Sequence, residues 1–269
     1  CTGVMQISGR TPVNAAMTAL TLDHISNGRL NVGVGVSGPQ VVEGWYGQAF
    51  NKPLERTREW LDIFRQVISR EAPVELDGNQ YQLPLQGGMN LGKPLKSITH
   101  PLRKEIPVYL GAEGPKNVEL ACTEFNGWLP IFVSTEKMDI YKEPLSMVKD
   151  KESFEVCAMV NMNVDDNLEN ALLPVKYMLA LYLGGMGAKG KNFHKDLMGR
   201  MGWAEEAQMI QDVFMAKGQH EAAKIVPDYM ADEISLCGPE DRIKEKLQQW
   251  KKSDVTTLMI GVSPYGNEV

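Results

Sequence analysis

Only four cysteines occur in 269 residues, at positions 1, 122, 157 and 237, and none forms a C-x-x-C pair. That spacing gives no framework for a disulfide-stapled fold or a thiolate metal site, so Cys1, Cys122, Cys157 and Cys237 read as reduced thiols of a cytoplasmic protein. No apolar run reaches 18 residues, and the first residues do not form a secretory signal, so no membrane span is expected. An excess of positive charge is missing too. With 28 Lys+Arg against 34 Asp+Glu, the formal charge of −6 offers no footprint for nucleic acid or an anionic membrane. The hydrolytic and nucleotide signatures H-E-x-x-H, G-x-S-x-G and G-x-x-x-x-G-K-[ST] are all absent. His24, His100, His194 and His220 lie scattered without ligand spacing and read as structural or solvated, with no metal expected. The 15 methionines read mostly as core filler. A soluble globular chain remains, long enough for a sizeable core.

Apolar strand candidates alternate with helical patterns along the whole chain. The strands are "TGVMQI" (2–7), "RLNVGVGV" (29–36), "IPVYLG" (106–111), "GWLPIF" (127–132), "FEVCAMVNMNV" (154–164) and "TTLMIGV" (256–262). Several are apolar almost throughout, as in parallel strands covered on both faces. "TPVNAAMTALTLDHIS" begins with Thr11 as N-cap and Pro12 at the first helical position, and stops at Asn27-Gly28. "KPLERTREWLDIFRQVISRE" sets Leu54, Leu61, Phe64 and Ile68 on one face. "GPEDRIKEKLQQWKK" places Pro239 first and matches the helix dipole at both ends. Two stretches read as insertions on this frame. One spans 73–105, a hairpin with Asp77-Gly78 at its turn followed by a Gly/Pro-rich loop; the other spans 167–234, a helical stretch containing "GGMGAKGKN" (184–192). Without an internal repeat or low-complexity linker, the chain reads as one domain of the α/β class with a parallel sheet. Both a doubly wound sheet and a (β/α)₈ barrel are open. "VGVGVSG" (32–38) places its third glycine one position early for a dinucleotide fingerprint, so a barrel with insertions fits better. Six strands are too few to close such a barrel, and the chain enters and leaves on apolar stretches, with a helix expected to start in "SPYGNEV". The expectation is a fragment cut at both ends.

Three stretches are candidates for binding. In "NVGVGVSGPQ" (31–40) the glycines at 33 and 35 share a strand face, either to let a ligand ring approach or to admit a bulky neighbour, and Ser37-Gly38 fall at the strand's carboxyl end. In "YLGAEGPKNVELA" (109–121) a strand runs into a helix expected to start at Pro115. Its open end gathers the N–H groups of Ala112, Glu113, Gly114, Lys116 and Asn117, a setting suited to an anion. Glu113 stands against that reading, but at about 7 Å in a wet site each unit of anion charge costs only about 0.6 kcal/mol. Two or three charge-assisted hydrogen bonds at about 1.5–3 kcal/mol each outweigh this if the carboxylate points away. In "TGVMQISGRTP" (2–12) a strand glycine suggests a bulge or a close approach, and Arg10 and Thr11 are within reach of an anion. Gln40 and Glu43 lie nearest the strand end, yet no acid–base pair emerges. The hard chemistry therefore has to come from a cofactor.

"TGVMQISGRTP" (2–12), "LDHISNGRLNVGVGVSGPQVVEGWYG" (22–47), "LGKPLKSITHPLR" (91–103), "IPVYLGAEGPKNVELA" (106–121) and "GPEDRIKEKLQQWKKSDVTTLMIGV" (238–262) together resemble the luciferase-like monooxygenase family, and within it the branch that uses coenzyme F-420. The resemblance implies a TIM barrel with a cofactor across the carboxyl ends of its strands. It implies a non-prolyl cis peptide at Gly3-Val4 behind the flavin ring, and contacts from Val36, Ser37, Gly38, Ala112, Glu113, Gly114, Lys116 and Asn117 on the phosphate side. It also implies that the strands present are the third to the eighth, so that the catalytic acid or base cannot be carried over. The implied activity is hydride transfer between coenzyme F-420 and a small organic substrate, in a cytoplasmic enzyme that is a homodimer when full length. An FMN-dependent monooxygenase, a non-catalytic flavin-binding relative and an unrelated phosphate-binding barrel are the alternatives.

Overall fold

The computed structural model describes residues 1–187 and 190–262. The expected helix start beyond residue 262 and the Ala188-Lys189 part of "GGMGAKGKN" lie outside the described residues. The chain forms two compact units: residues 1–111 with 124–126, and residues 112–123 with 127 onward.

The first unit contains β1 (Met5–Gln6), α1 (Pro12–Ile25), β2 (Val32–Gly35), α2 (Pro39–Gly44), α3 (Pro53–Ser69), a hairpin of β3 (Leu76–Asp77) and β4 (Gln82–Leu83), and β5 (Val108–Gly111). β2 pairs in parallel with β1, Met5 opposite Val34, and with β5, Val32 opposite Val108. α1 starts where its cap dictates: the Thr11 hydroxyl accepts the Asn14 N–H, and the chain leaves through Asn27 and Gly28 at positive φ. α3 buries Trp60, Leu61, Phe64 and Ile68, with the Trp60 and Phe64 rings stacked 5.2 Å apart. Leu54, expected on that face, sits in the first turn of α3 and is only partly covered. The hairpin turn is held from α3, where the Glu59 carboxylate accepts the N–H groups of Asn79, Gln80 and Tyr81 at 2.8–2.9 Å. The long loop that follows is tied down near its end. Arg103 donates to both oxygens of buried Asp23, at 2.8 and 3.1 Å, and to the Leu30 carbonyl.

The second unit contains α4 (Pro115–Glu124, whose last residue counts with the first unit), β6 (Gly127–Leu129), a 3₁₀ turn (Met138–Tyr141) running into α5 (Lys142–Ser146), and β7 (Glu155–Val164). Five helices follow: α6 (Leu168–Gly184), α7 (Phe193–Arg200), α8 (Ala204–Lys217), α9 (Gln219–Lys224) and α10 (Asp228–Glu233). β8 (Ser235–Gly238), α11 (Glu240–Trp250) and β9 (Thr257–Val262) complete it. β7 is the central strand and pairs in parallel with β6, β8 and β9. Strands are shorter than their apolar stretches. β1 keeps two residues of "TGVMQI", and β6 stops at Leu129 because Pro130 has no N–H to continue the ladder. β8 was not expected. Its four residues contain only Leu236 and Cys237 as apolar signal, and they fall between the helical stretch read over 167–234 and the helix read from Gly238. Pro239 caps α11 instead of opening it.

All four cysteines are free, with Cys1 exposed and the others buried. Among the described residues no helix is long and apolar enough to cross a membrane, and no group of three or more His, Cys, Asp or Glu is placed to hold a metal ion.

Candidate functional site

In the first unit the Gly3–Val4 peptide is cis, immediately before β1. Val4 leaves 41% of its surface exposed, unusual for valine beside a strand. A Cβ placed on Gly35 would come within 3.0 Å of the Val4 Cγ2, so Gly35 is what lets Val4 lie against β2. Gly33 has a different duty: the Thr2 hydroxyl accepts its N–H and donates to its carbonyl, at 2.9 and 2.8 Å. Beyond β2, Val36 borders a small cavity with Ile7, Ser8 and Val42. Ser37 turns the chain with φ +62°, and the Gly38 carbonyl accepts the Val41 and Val42 N–H groups at the start of α2. Arg10 and Thr11 are engaged by α1, Arg10 donating to Thr18 and Thr11 capping the helix. Glu43 accepts the Phe50 N–H.

In the second unit the turn from Ala112 leads into α4, which starts at Pro115 as its sequence requires. The Gly114 carbonyl accepts the N–H groups of Asn117 and Val118, both at 2.9 Å. The Asn117 N–H is thus part of the first helical turn and not of the open end, while its buried side-chain Oδ1 has no partner among the described residues. Lys116 is exposed at the helix start, and a Cβ built on Gly114 would meet nothing within 4 Å. The space beside the Gly114 backbone is therefore open to a ligand. Among the described residues, the hydrogen bonds at this turn use its carbonyls, the helix N–H groups and the Glu113 carboxylate, and none uses the Glu113 or Gly114 N–H. Two backbone donors, a lysine and open space fit a phosphate group.

Sequence reasoning missed the partners of this turn. The His194 Nδ1–H donates to Glu113 Oε1 at 2.6 Å, so the carboxylate is held by α7; its other oxygen is buried with no partner among the described residues. Arg200, at the far end of α7, donates to the Glu113 carbonyl at 2.7 Å. Trp128 on β6 donates from Nε1 to the Ala112 carbonyl at 2.8 Å. His194 also stands edge-on to Tyr182 and Phe132. Tyr141 packs edge-on against Trp128, and its buried hydroxyl has no partner among the described residues. Burial first, and the Glu113 carboxylate second, push the Tyr141 phenol well above its ordinary range, and the same two causes raise Tyr182. Both phenols stay neutral, so the turn is bounded by the Glu113 carboxylate with its His194 partner, the Arg200 guanidinium, the Lys116 side chain and uncharged phenol and indole rings. Such a set can bind and orient; only the side-chain order Asn192–His194–Arg200 on one short helix hinted at it, and the sequence does not say which strand that helix faces.

The family model described as luciferase-like monooxygenase matches residues 1–257. A protein of Mycobacterium tuberculosis named as a coenzyme F-420-dependent oxidoreductase is 47% identical over 268 residues, covering 96% of this chain and 77% of that one. The 5,10-methylenetetrahydromethanopterin reductase of Archaeoglobus fulgidus is 28% identical over 95% of this chain and 74% of its own. Among solved structures, the coenzyme F-420-dependent tetrahydromethanopterin reductase of Methanopyrus kandleri superposes with a TM-score of 0.78 at 21% identity, covering 98% of this chain and 77% of that one. At that identity the likeness is one of fold, and the α/β class with a parallel sheet is the one the sequence predicts.

Proposed function

Because the chain belongs to the luciferase-like monooxygenase family, we propose that it is an oxidoreductase using coenzyme F-420 to exchange a hydride with a small organic substrate. The observation that carries this reading is the likeness, along nearly the whole chain, to the mycobacterial protein named for that cofactor. When bound, the deazaflavin supplies two-electron hydride chemistry, which suits a chain in which no acid–base pair emerges from the sequence. In the second unit, the Glu113 and Gly114 N–H groups and the Lys116 side chain are assigned to the cofactor phosphate, with Ala112 and Asn117 shaping the turn. In the first unit, Gly3, Val4, Val36, Ser37 and Gly38 are assigned as cofactor contacts, Val4 offering the exposed apolar surface an aromatic ring requires.

Titrating the full-length protein with coenzyme F-420 and with FMN, followed by cofactor fluorescence, tests the assignment. The expected result is saturable F-420 binding at least about tenfold tighter than FMN binding. Tight FMN binding with no affinity for the deazaflavin would overturn it in favour of an FMN-dependent monooxygenase.

A further inference from the structure

Three successive carbonyls of the turn before α4 are each held by a donor from a different element. Trp128 on β6 takes Ala112, Arg200 on α7 takes Glu113, and the first turn of α4 itself takes Gly114. The peptide bonds from Ala112 to Gly114 are trans, since the cis bonds found lie at Gly3-Val4 and Leu83-Pro84. In a trans peptide the carbonyl oxygen and the following N–H point in opposite directions. Holding the Ala112 carbonyl therefore aims the Glu113 N–H, and holding the Glu113 carbonyl aims the Gly114 N–H.

We infer that Trp128 and Arg200 are positioning residues for anion recognition: they fix two consecutive peptide planes so that the Glu113 and Gly114 N–H groups are presented together to a phosphate, while His194 anchors the Glu113 carboxylate. The inference rests on the reading that this turn takes the cofactor phosphate. A free turn would have to be ordered at the moment of binding, and donors held beforehand avoid that cost. Arg200 adds a charge argument. Its guanidinium lies on the backbone of the residue whose carboxylate opposes an anion, and so offsets Glu113 locally. The buried Asn117 Oδ1 at the same turn, without a partner among the described residues, is an acceptor that a ligand hydroxyl would satisfy. A purely structural account covers Trp128, since any buried indole seeks an acceptor. It does not explain why a charged guanidinium reaches a turn carbonyl beside open space.

The test compares full-length wild type, Trp128→Phe, Arg200→Gln and Arg200→Lys, each titrated with coenzyme F-420 and with its phosphate-free riboflavin-level deazaflavin analogue. Wild type is expected to prefer the phosphate-bearing form. Trp128→Phe and Arg200→Gln are each expected to lose about tenfold in affinity for that form while leaving the analogue's affinity within about twofold, and Arg200→Lys to recover much of the loss. Equal losses for both ligands, or an unchanged preference, would overturn the positioning role and leave Trp128 and Arg200 as packing residues. A wild-type protein that binds both forms equally, or neither, would instead overturn the assignment of the turn to phosphate, whatever the variants do.

Discussion

Asp23 lies within the first unit, where only 1% of its surface reaches solvent. Arg103 grips both oxygens, and the Leu30 N–H supplies a further bond at 3.3 Å. The two partners are not equivalent, because Arg103 is 31% exposed along its side chain and Asp23 is not. Arg103→Leu strands a buried carboxylate and is expected to cost about 3–5 kcal/mol in urea unfolding. Asp23→Asn leaves a guanidinium that can turn to water and an amide that still accepts the Leu30 N–H, so its cost should be clearly smaller. Equal costs would contradict this asymmetry. Glu113 shows the same logic in a ligand setting. The sequence reading requires its carboxylate to point away, and the structure supplies His194 as the group that holds it. No local pattern reveals that pair, since its members stand 81 positions apart.

At the scale of elements, α7 depends on Asn192. Its Oδ1 accepts the His194 and Lys195 N–H groups at 3.0 and 3.1 Å, capping the helix, and its amide donates to the Tyr182 and Leu183 carbonyls at the end of α6. Asn192→Ala removes the cap and takes the amide donor from the Tyr182 and Leu183 carbonyls, of which Leu183 keeps a longer bond from Gln211. It is expected to destabilise by about 2–4 kcal/mol and to raise amide hydrogen exchange in α7 above that in α11. Uniform protection across both helices would count against it. Helix starts of this kind are legible in sequence where a cap and a proline coincide, as at Thr11-Pro12 and Gly114-Pro115. Strand lengths are much less so. Apolar runs mark what is buried, whereas the ladder ends where a backbone donor is lost, as at Pro130, and a strand with two apolar residues, such as β8, leaves no periodic trace. The helix start at Pro115 is therefore legible from residues, but the partners of the turn before it, on β6 and α7, needed tertiary contacts to appear.

For the whole molecule, acid sensitivity is set partly by Asp232. It receives two bonds from Arg242, at 2.9 and 2.6 Å, and one from Lys246 at 2.8 Å, joining α10 to α11. Partial burial acts to raise its carboxyl, but the guanidinium and the ammonium outweigh that and hold it below the usual value of 3.8. A depressed carboxylate contributes stability that is present above the unfolded value and is lost as pH falls through the folded one. Wild type should therefore melt higher than Asp232→Asn at pH 6–7, and the gap should close progressively below about pH 4. A gap that stays constant between pH 6 and 3 would rule out this linkage.

The turn before α4 also has a history in time. Its Glu113 carbonyl is gripped by a residue 87 positions later. At about 5–20 residues per second, that stretch takes roughly 4–17 s to be synthesised, so the turn leaves the ribosome well before its clamp exists. A nascent chain halted before residue 200 should carry the turn in an unclamped state. Any phosphate grip built on Trp128 and Arg200 would thus arrive late in synthesis, as a property of the assembled second unit and not of the loop that displays it.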